Sequence, residues 1–501
     1  MVTDSFAGTG EELLTTAEMY AADAATIARG VSGGNLMENA GWAVAEAIMN
    51  RWSRRPVSIL CGGGNNGGDG FVVACLLARA GWAVKLGLLG DVNSLHGDAA
   101  EAATKWKGKI EPLDVQLLDD AKLVVDAVFG AGLNRSIDGV VASAIDEINR
   151  RKIPCVAVDV PSGVSGDTGE ILGTSPNCAL TVTFFRLKPG HFLYPGRGFC
   201  GELVVADIGI DDAVLSEITP KAVRNVPSLW LSSMPSHGPT THKFKRGYTL
   251  VVGGSKMTGA ARLAARAAAR IGSGMVGIAA PDIAADIYAG DDPSFLIHRF
   301  LNKSDFCDLL DNRRQTSLVI GPGLGATPAT AEMTLAALAA GKPIVLDADA
   351  LSAFENRRDD LMAAINDTRV VMTPHQGEFS RLFNFEGDKL ARCRAAAAQS
   401  GAVVLLKGPD TVIAAPDGRV AINSNAPPTL ATAGAGDVMA GLIAGLMAQG
   451  MKTYYAACAA CWIHGEAARH FGPGLIASDL PDCVPAILGK LESKYMDRRR
   501  S

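Results

Sequence analysis

Two stretches of one alternating pattern, separated by a lapse, limit what this chain can fold into. Between Val57 and Ile210, short runs rich in Val, Ile and Leu (VSILC, AVKLGLLG, LVVDAVFG, IPCVAVDV, LTVTFF, GELVVADIGI) alternate with helical stretches. From Tyr248 onward the alternation resumes with YTLVVGGS, GMVGIAAP, TSLVIGPGLG, KPIVLDADAL, TRVVMTPHQGE, AVVLLKGPDT and TVIAAPDG. Apolar runs of strand length set between helices predict parallel sheets covered on both faces. Around residues 211–246 the pattern lapses in a segment with four prolines, which predicts a connection between two α/β domains, 1–224 and 225–501.

Composition removes several classes of function. The 501 residues are 48% hydrophobic and 20% charged, enough for two cores, and the net charge of −5 with both signs interspersed gives no surface for nucleic acid or an anionic membrane. No apolar stretch reaches about 18 residues without a charge. The N-terminal MVTDSFAGTGEE is acidic and polar, so a cytoplasmic protein is expected. The ten cysteines are scattered through apolar segments, which predicts reduced thiols. Cys458, Cys461 and His464 could share a helix face as metal ligands, but a lone CxxC in the Ala-rich YYAACAACWIHGEAARHF reads as packing.

The polar and glycine-rich signals fall at strand ends, where open parallel sheets bind ligands. GGGNNGGDG (Gly62–Gly70) follows the first strand, DAVFGAGLNRS another and DVPSG a third. Bare glycines let backbone amides approach a diphosphate, and Asn65, Asn66 and Asp69 add oxygens that also suit a hard cation. A dinucleotide-binding fingerprint fits less well, because the acidic residue expected about 20 positions on is replaced by AVKLGLLG. Read from the residues alone, Asp126 and Asp159 at strand ends are better explained as loop caps than as functional groups, and Lys188 in FFRLKPG reads either as a positive charge near the phosphates or as a solvated lysine after a strand.

In the second half, ATAGAGDVMAGLIAGL places Gly434, Gly436 and Asp437 ahead of a long apolar helix. Free N–H groups at such a start form an anion site, and a carboxylate beside a bound phosphate suits a general base acting on a substrate hydroxyl. An Asp that merely caps the first turn explains the motif as well. Lys407, Gly408 and Thr411 in a strand-to-strand loop, His375 and Glu378, and Gly321–Gly325 add polar loops at further strand ends.

GAGD before a helix, preceded by a KG-containing strand, resembles the ribokinase-like superfamily. More narrowly, HKFKRGYTLVVGGSKMTGAARLAARAAARIGSGMV, GPGLG, DADAL, TPHQGE, KGPDT and AGAGDVMAG, in this order over roughly residues 237–490, resemble the ADP- or ATP-dependent NAD(P)H-hydrate dehydratases. The resemblance implies a ribokinase-like three-layer sandwich in which Ala260, Gly323, His375 and Asp437 touch a hydrated nicotinamide cofactor. It also implies that Lys407, Gly408, Pro409, Asp410, Thr411 and Gly436 line ADP or ATP, accompanied by Mg2+. That family usually carries proline where Gln376 stands.

Over roughly residues 10–215, LMENAGWAVAEAI, GGGNNGGDG, VDAVFGAGLNRS, AVDVPSG and FFRLKPGHFLYPG resemble the NAD(P)H-hydrate epimerases. This resemblance implies a Rossmann-like three-layer sandwich with cofactor contacts from Asn65, Asn66, Gly67, Gly68 and Asp69, from Gly130, Ala131, Gly132, Leu133, Asn134, Arg135 and Ser136, and from Asp159. It further implies potassium held by Asn66, Asp126 and Ser162, and a catalytic role for Asp159 beside that of Asp437. The expectation is therefore a bifunctional repair enzyme acting on small molecules, assembled as a homo-oligomer. Its rivals are a kinase for a small hydroxylated metabolite and a non-catalytic nucleotide-binding protein.

Overall fold

The computed structural model describes residues 10–365 and 369–500. The chain divides into two compact units, Met1–Val223 and Arg224–Ser501.

In the first unit, strands β1 (Val57–Cys61), β2 (Val84–Leu88), β3 (Ile110–Pro112), β4 (Leu123–Ala127), β5 (Cys155–Val158), β6 (Leu180–Phe184) and β7 (Glu202–Ala206) form one sheet in the order β3-β2-β1-β4-β5-β6-β7. Every neighbouring pair is parallel. Helices α1 (Thr16–Ala28), α2 (Gly33–Arg51), α3 (Asn65–Arg79), α4 (Gly97–Lys105) and α5 (Gly139–Arg151) complete it. Because strand side chains alternate, Ile59, Cys61, Leu123 and Val125 join one core with α2, α3 and α4. Leu60, Val124, Cys155 and Ala157 join the other with Val141, Ala144, Ile145 and Ile148 of α5. Both faces are thus covered, as the continuous apolar runs predict, in the Rossmann-like sandwich that the family resemblance implies. Full burial of such a side chain contributes about 1.5–3 kcal/mol.

The second unit carries parallel strands in the spatial order Leu296–Phe300, Met275–Pro281, Tyr248–Val252, Ser317–Ile320, Ile344–Leu346, Val370–Met372 and Val403–Leu406. Thr411–Ala414 and Val420–Asn423 then continue it antiparallel. Helix Ala435–Ala448 packs on Thr258–Arg270 at backbone distance, since a Cβ at Gly441 would lie 2.1 Å from the Ala264 carbonyl oxygen. That glycine contact fixes the helix whose first turn carries Asp437. No helix among the described residues is long and apolar enough to cross a membrane, and all ten cysteines are free thiols.

One local boundary differs from the sequence pattern. Helix α3 starts at Asn65, not at Asp69 where the side-chain pattern begins, because glycine lets its first turn fold against the strand end: a Cβ at Gly67 would lie 1.9 Å from the Gly62 carbonyl oxygen. The proline-rich connection carries short ordered pieces, as expected of it. Helix Pro227–Trp230 ends in a fully buried Trp230, whose Nε1 donates to Asn225 Oδ1 at 3.2 Å.

Candidate active sites at the strand ends

The strand order of the first unit turns back between β1 and β4, and there a cavity of about 460 Å³ opens. Asn65, Asn66 and Asp69 of α3, Gly130–Arg135 after β4, and Asp159 after β5 line it. Helix α3 begins at Gly64 without a side-chain cap, which leaves its first N–H groups for a ligand or water. Gly67, Gly68 and Ser136 are not among the residues that line the cavity. Gly67 and Gly68 pack inward, the latter with its Cβ position 2.6 Å from the Met37 methyl carbon, and Ser136 Oγ stands 2.8 Å from the Cβ position of Gly173.

The glycines therefore divide into two kinds. Gly63 has open space at its Cβ position, whereas Gly67 has backbone. Gly67→Ala should destabilise the first unit by about 1–3 kcal/mol, and Gly63→Ala should stay within about 0.5 kcal/mol. Chemical denaturation of the two variants checks the division.

Asp159 sits at φ +68°, a conformation that a residue with a Cβ keeps only when its surroundings impose it. Its Oδ1 accepts from Lys188 Nζ at 2.5 Å and Thr183 Oγ1 at 2.9 Å, and its Oδ2 from the Ala131 N–H at 3.3 Å. Lys188 Nζ also donates to Thr183 Oγ1 at 2.8 Å. His191 Nδ1 accepts the Lys188 N–H at 3.0 Å, so the ring proton lies on Nε2, which donates to the Asp159 carbonyl at 3.0 Å. Burial, helped by Lys188, lowers His191 to about 4, so the ring is neutral. Burial alone would raise the Asp159 carboxyl, but Lys188 outweighs it and the group lies below its ordinary value.

Lys188 is thus no solvated lysine. It is 2% exposed, and its ammonium is committed to Asp159 and Thr183. Helix α1 also escaped the sequence reading: Thr16, Met19, Tyr20 and Asp23 line the same cavity. Burial raises Asp69 well above the usual carboxylate range, with Asp159 and Asp23 adding to the effect. Burial likewise lifts Asp23 to about 6, against the pull of Lys188.

Asp126 and Ser162 form a separate buried pair. Asp126 Oδ2 accepts the Ser162 N–H at 2.7 Å and its Oδ1 accepts Ser162 Oγ at 2.6 Å and the Val128 N–H at 3.3 Å. These partners are neutral, and burial raises the carboxyl. Asn66 Oδ1 lies 3.1 Å and Asp159 Oδ2 3.5 Å from the Cβ position of Gly130, so the amide and the catalytic candidate flank one glycine. Asn66 Nδ2 is enclosed without a partner.

In the second unit the carboxyl ends of the parallel strands again gather the polar residues. Gly434 caps helix Ala435–Ala448 at φ +90° with no side-chain cap, leaving the anion-binding start that the sequence suggests. The Cβ position of Gly436 is 3.5 Å from Lys407 Nζ and 3.9 Å from Asp347 Oδ2. Lys407 Nζ donates to Asp347 Oδ1 at 2.7 Å, which also accepts from Thr373 Oγ1 at 2.9 Å. Burial alone would lower Lys407, but Asp347, Glu378 and Asp437 more than offset it and hold the ammonium charged. Burial, reinforced by Asp347 and opposed by Lys407, pushes Asp437 up to about 6.

Ala260 and Gly323 meet, 3.2 Å separating the Ala260 Cβ from the Cβ position of Gly323. His375 caps helix Gln376–Leu382: its Nδ1 accepts the N–H groups of Gly377 at 2.9 Å and Glu378 at 3.1 Å, and its Nε2 lies 3.4 Å from Glu378 Oε1. Gln376 occupies the first helical position, where proline is also favoured, so the departure from the family pattern leaves the turn intact. Within KGPDT, Asp410 is buried against Lys389 and Thr411 Oγ1 donates to the Gly408 carbonyl at 2.8 Å; both side chains hold the turn that presents Gly408 and Pro409. Asp347 and Asp349 went unread although DADAL stood out. Ala348 between them sits at φ +47°, and Asp349 Oδ2 accepts the Gly325 N–H at 2.8 Å, tying that loop to GPGLG. Cys458, Cys461 and His464 are all buried, and no group of three or more His, Cys, Asp or Glu among the described residues is placed to hold a metal.

Family models match each unit separately: residues 33–190 match the YjeF-related protein N-terminus, and residues 249–482 match NAD(P)H-hydrate dehydratase. The bifunctional NAD(P)H-hydrate repair enzyme of Moorella thermoacetica is 38% identical over 496 residues, covering 92% of this chain and 93% of that protein. The chain belongs to the bifunctional NAD(P)H-hydrate repair enzyme family. Its likeness to the Salinibacter ruber repair enzyme, 35% over 529 residues, extends to 95% of this chain and 96% of the relative. Among solved structures, an ADP/ATP-dependent NAD(P)H-hydrate dehydratase from Bacillus subtilis, co-crystallized with ATP and Mg2+, covers 54% of this chain and 98% of its own at 26% identity and a TM-score of 0.47. In this repair-enzyme chain, α1 precedes both matched segments.

Proposed function

We propose that this chain restores hydrated NADH and NADPH. Residues 1–224 interconvert the R and S epimers, and residues 225–501 return the S form to the dihydronicotinamide by phosphorylating its C6 hydroxyl from ADP or ATP and eliminating phosphate. The observation that carries the reading is Asp437: a carboxylate tuned to about 6 on an uncapped glycine helix start, with Lys407 close to the same turn.

Hydroxide is a poor leaving group and phosphate a good one. Asp437 takes the hydroxyl proton as the oxygen attacks the terminal phosphorus of the nucleotide, while the helix N–H groups and Lys407 meet the charge on the phosphoryl oxygens. His375 Nε2 and the Ala260–Gly323 contact supply the neighbouring wall for the hydrated cofactor. Magnesium travels with the nucleotide, held by phosphate oxygens and water.

In the first unit, the start of α3 and Gly130–Arg135 hold the diphosphate, and Asp159 faces the ring. Asn66, Asp126 and Ser162 offer amide, carboxylate and hydroxyl oxygens, and Asp126 is a buried carboxylate whose partners are all neutral. This donor set fits potassium. When bound, that ion balances Asp126 and adds positive charge beside the diphosphate.

The test is a mixture of hydrated NADH epimers given ADP or ATP separately, with dihydronicotinamide absorbance and phosphate release followed together. Complete recovery with one phosphate per molecule is expected. Failure to recover either epimer removes the reading.

A further inference from the structure

Helix α1 forms a wall of the first unit's cavity through Thr16, Met19, Tyr20, Asp23 and Ile27, spaced three and four residues apart on one face. The wall is fixed. The Thr16 N–H donates to Asp167 Oδ1 at 2.7 Å, Thr16 Oγ1 donates to the Ala131 carbonyl at 3.1 Å, and the Leu14 N–H donates to the Leu187 carbonyl at 3.0 Å. The Tyr20 hydroxyl lies 2.4 Å from the Cβ position of Gly132. Helix α1 therefore rests on the loop that also donates the Ala131 N–H to Asp159.

Asp23 has no structural task there. Its carboxyl makes no hydrogen bond or ion pair with any described residue. The charged groups sharing its cavity are Asp69 of α3, Asp98 of α4, Arg135 after β4, and the Asp159–Lys188 pair at the ends of β5 and β6. Lys188 is already committed to Asp159 and Thr183. A partly buried carboxyl facing a ligand cavity, without a partner and on an anchored helix, is placed for work on the ligand.

We propose that Asp23 is a proton-transfer group of the epimerase half, acting on the C6 hydroxyl of the hydrated nicotinamide from α1 while Asp159 acts from the strand ends. The proposal rests on the epimerase reading of the first unit. C6 bears the hydroxyl and is bonded to ring N1, so it can invert without touching a C–C or C–H bond. Asp23 gives its proton to the hydroxyl, the C6–O bond breaks with its electron pair leaving on water, and the N1 lone pair forms a C6=N1 double bond. Water adds to the other face of C6, the π pair returns to N1, and the added water loses its proton to Asp159. Proton and electron counts balance, and the carboxylates stabilise the transient positive charge on the ring. Burial tunes Asp23 to about 6, where both protonation states are populated near neutrality.

The experiment uses the full chain with ADP and compares wild type, Asp23→Asn and Asp23→Glu on each hydrated NADH epimer separately. For Asp23→Asn, turnover of the R form should fall about 10²–10⁴-fold with KM changed by less than about threefold, and the pH limb near 6 should vanish. Asp23→Glu should restore part of the rate, while turnover of the S form and the thermal transitions stay as in wild type. R-form turnover within about threefold of wild type in Asp23→Asn overturns the proposal, as does loss of the first unit's thermal transition, which would make Asp23 a packing residue. If wild type itself fails to use the R form but uses the S form, the epimerase reading fails instead.

Discussion

Asp437→Asn should leave the second unit folded and its KM for nucleotide nearly unchanged, and lower turnover of the S form about 10²–10⁴-fold. The size follows from the role. A general base removes a proton only in the transition state, so its loss appears in kcat and not in binding. Asparagine keeps the shape of the helix start and its N–H groups, so the anion site survives. The pH dependence carries an independent check. The base must be ionised, and Asp437 lies at about 6, so wild-type kcat should rise as pH increases through about 6 and level off above it. Burial and the neighbouring Asp347 both raise Asp437. Asp347→Asn removes one like charge, so it should move that limb to lower pH while Asp437→Asn abolishes it. A limb that stays in place in Asp347→Asn, or a pH-independent kcat in wild type, excludes Asp437 as the base.

Strand and helix alternation was legible because both sheets are mostly parallel and covered on two faces, so their strands read as continuous apolar runs. The strands that escaped were short or lay at an edge. Leu296–Phe300 (LIHRF) is half polar at a sheet margin, Ile110–Pro112 has three residues, and Val420–Asn423 belongs to the antiparallel extension. The glycine-bearing loops were legible for a different reason: they mark places where backbone approaches backbone or a ligand. Their chemistry was legible only in part. Gly67 in GGGNNGGDG serves the packing of α3 against its own strand end, and Asp410 in KGPDT serves a turn, although each stands inside a motif to which the family resemblance assigns ligand contacts.

The groups that tune these sites were not legible. Lys188 takes its meaning from Thr183 and Asp159, respectively five and 29 residues away in sequence, and nothing in FFRLKPG marks a lysine that will be buried. Asp23 sits in an ordinary amphipathic helix with no glycine near it. Asp347 was quoted within DADAL, but its role depends on Lys407, 60 residues further on. Motifs announce where backbone comes close to a ligand; charge partners are set by the sheet order that brings distant strand ends together.

The Lys188–Asp159 pair gives the second large effect. Lys188→Met removes one member of a buried pair and leaves the Asp159 carboxylate facing Thr183 with no ammonium, a change that costs about 3–5 kcal/mol. For a unit of this size that lowers the melting temperature by about 10 °C. The depressed Asp159 carboxyl predicts the sign with pH: the stability it contributes is present above its unfolded value, near 3.9, and is lost as pH falls through the lower folded value. The deficit of Lys188→Met should therefore be full at neutral pH and shrink in acid. Adding Asp159→Asn removes the stranded charge, and asparagine tolerates the positive φ that a leucine there would resist. The double variant should recover most of the lost stability while epimerisation stays impaired, because the cavity keeps neither its anchored carboxylate nor its ammonium. Thermal melts of the single and double variants, with S-form turnover as the control for the second unit, separate the two contributions; a Lys188→Met melt within about 2 °C of wild type would mean that water or an ion replaces the ammonium at no cost.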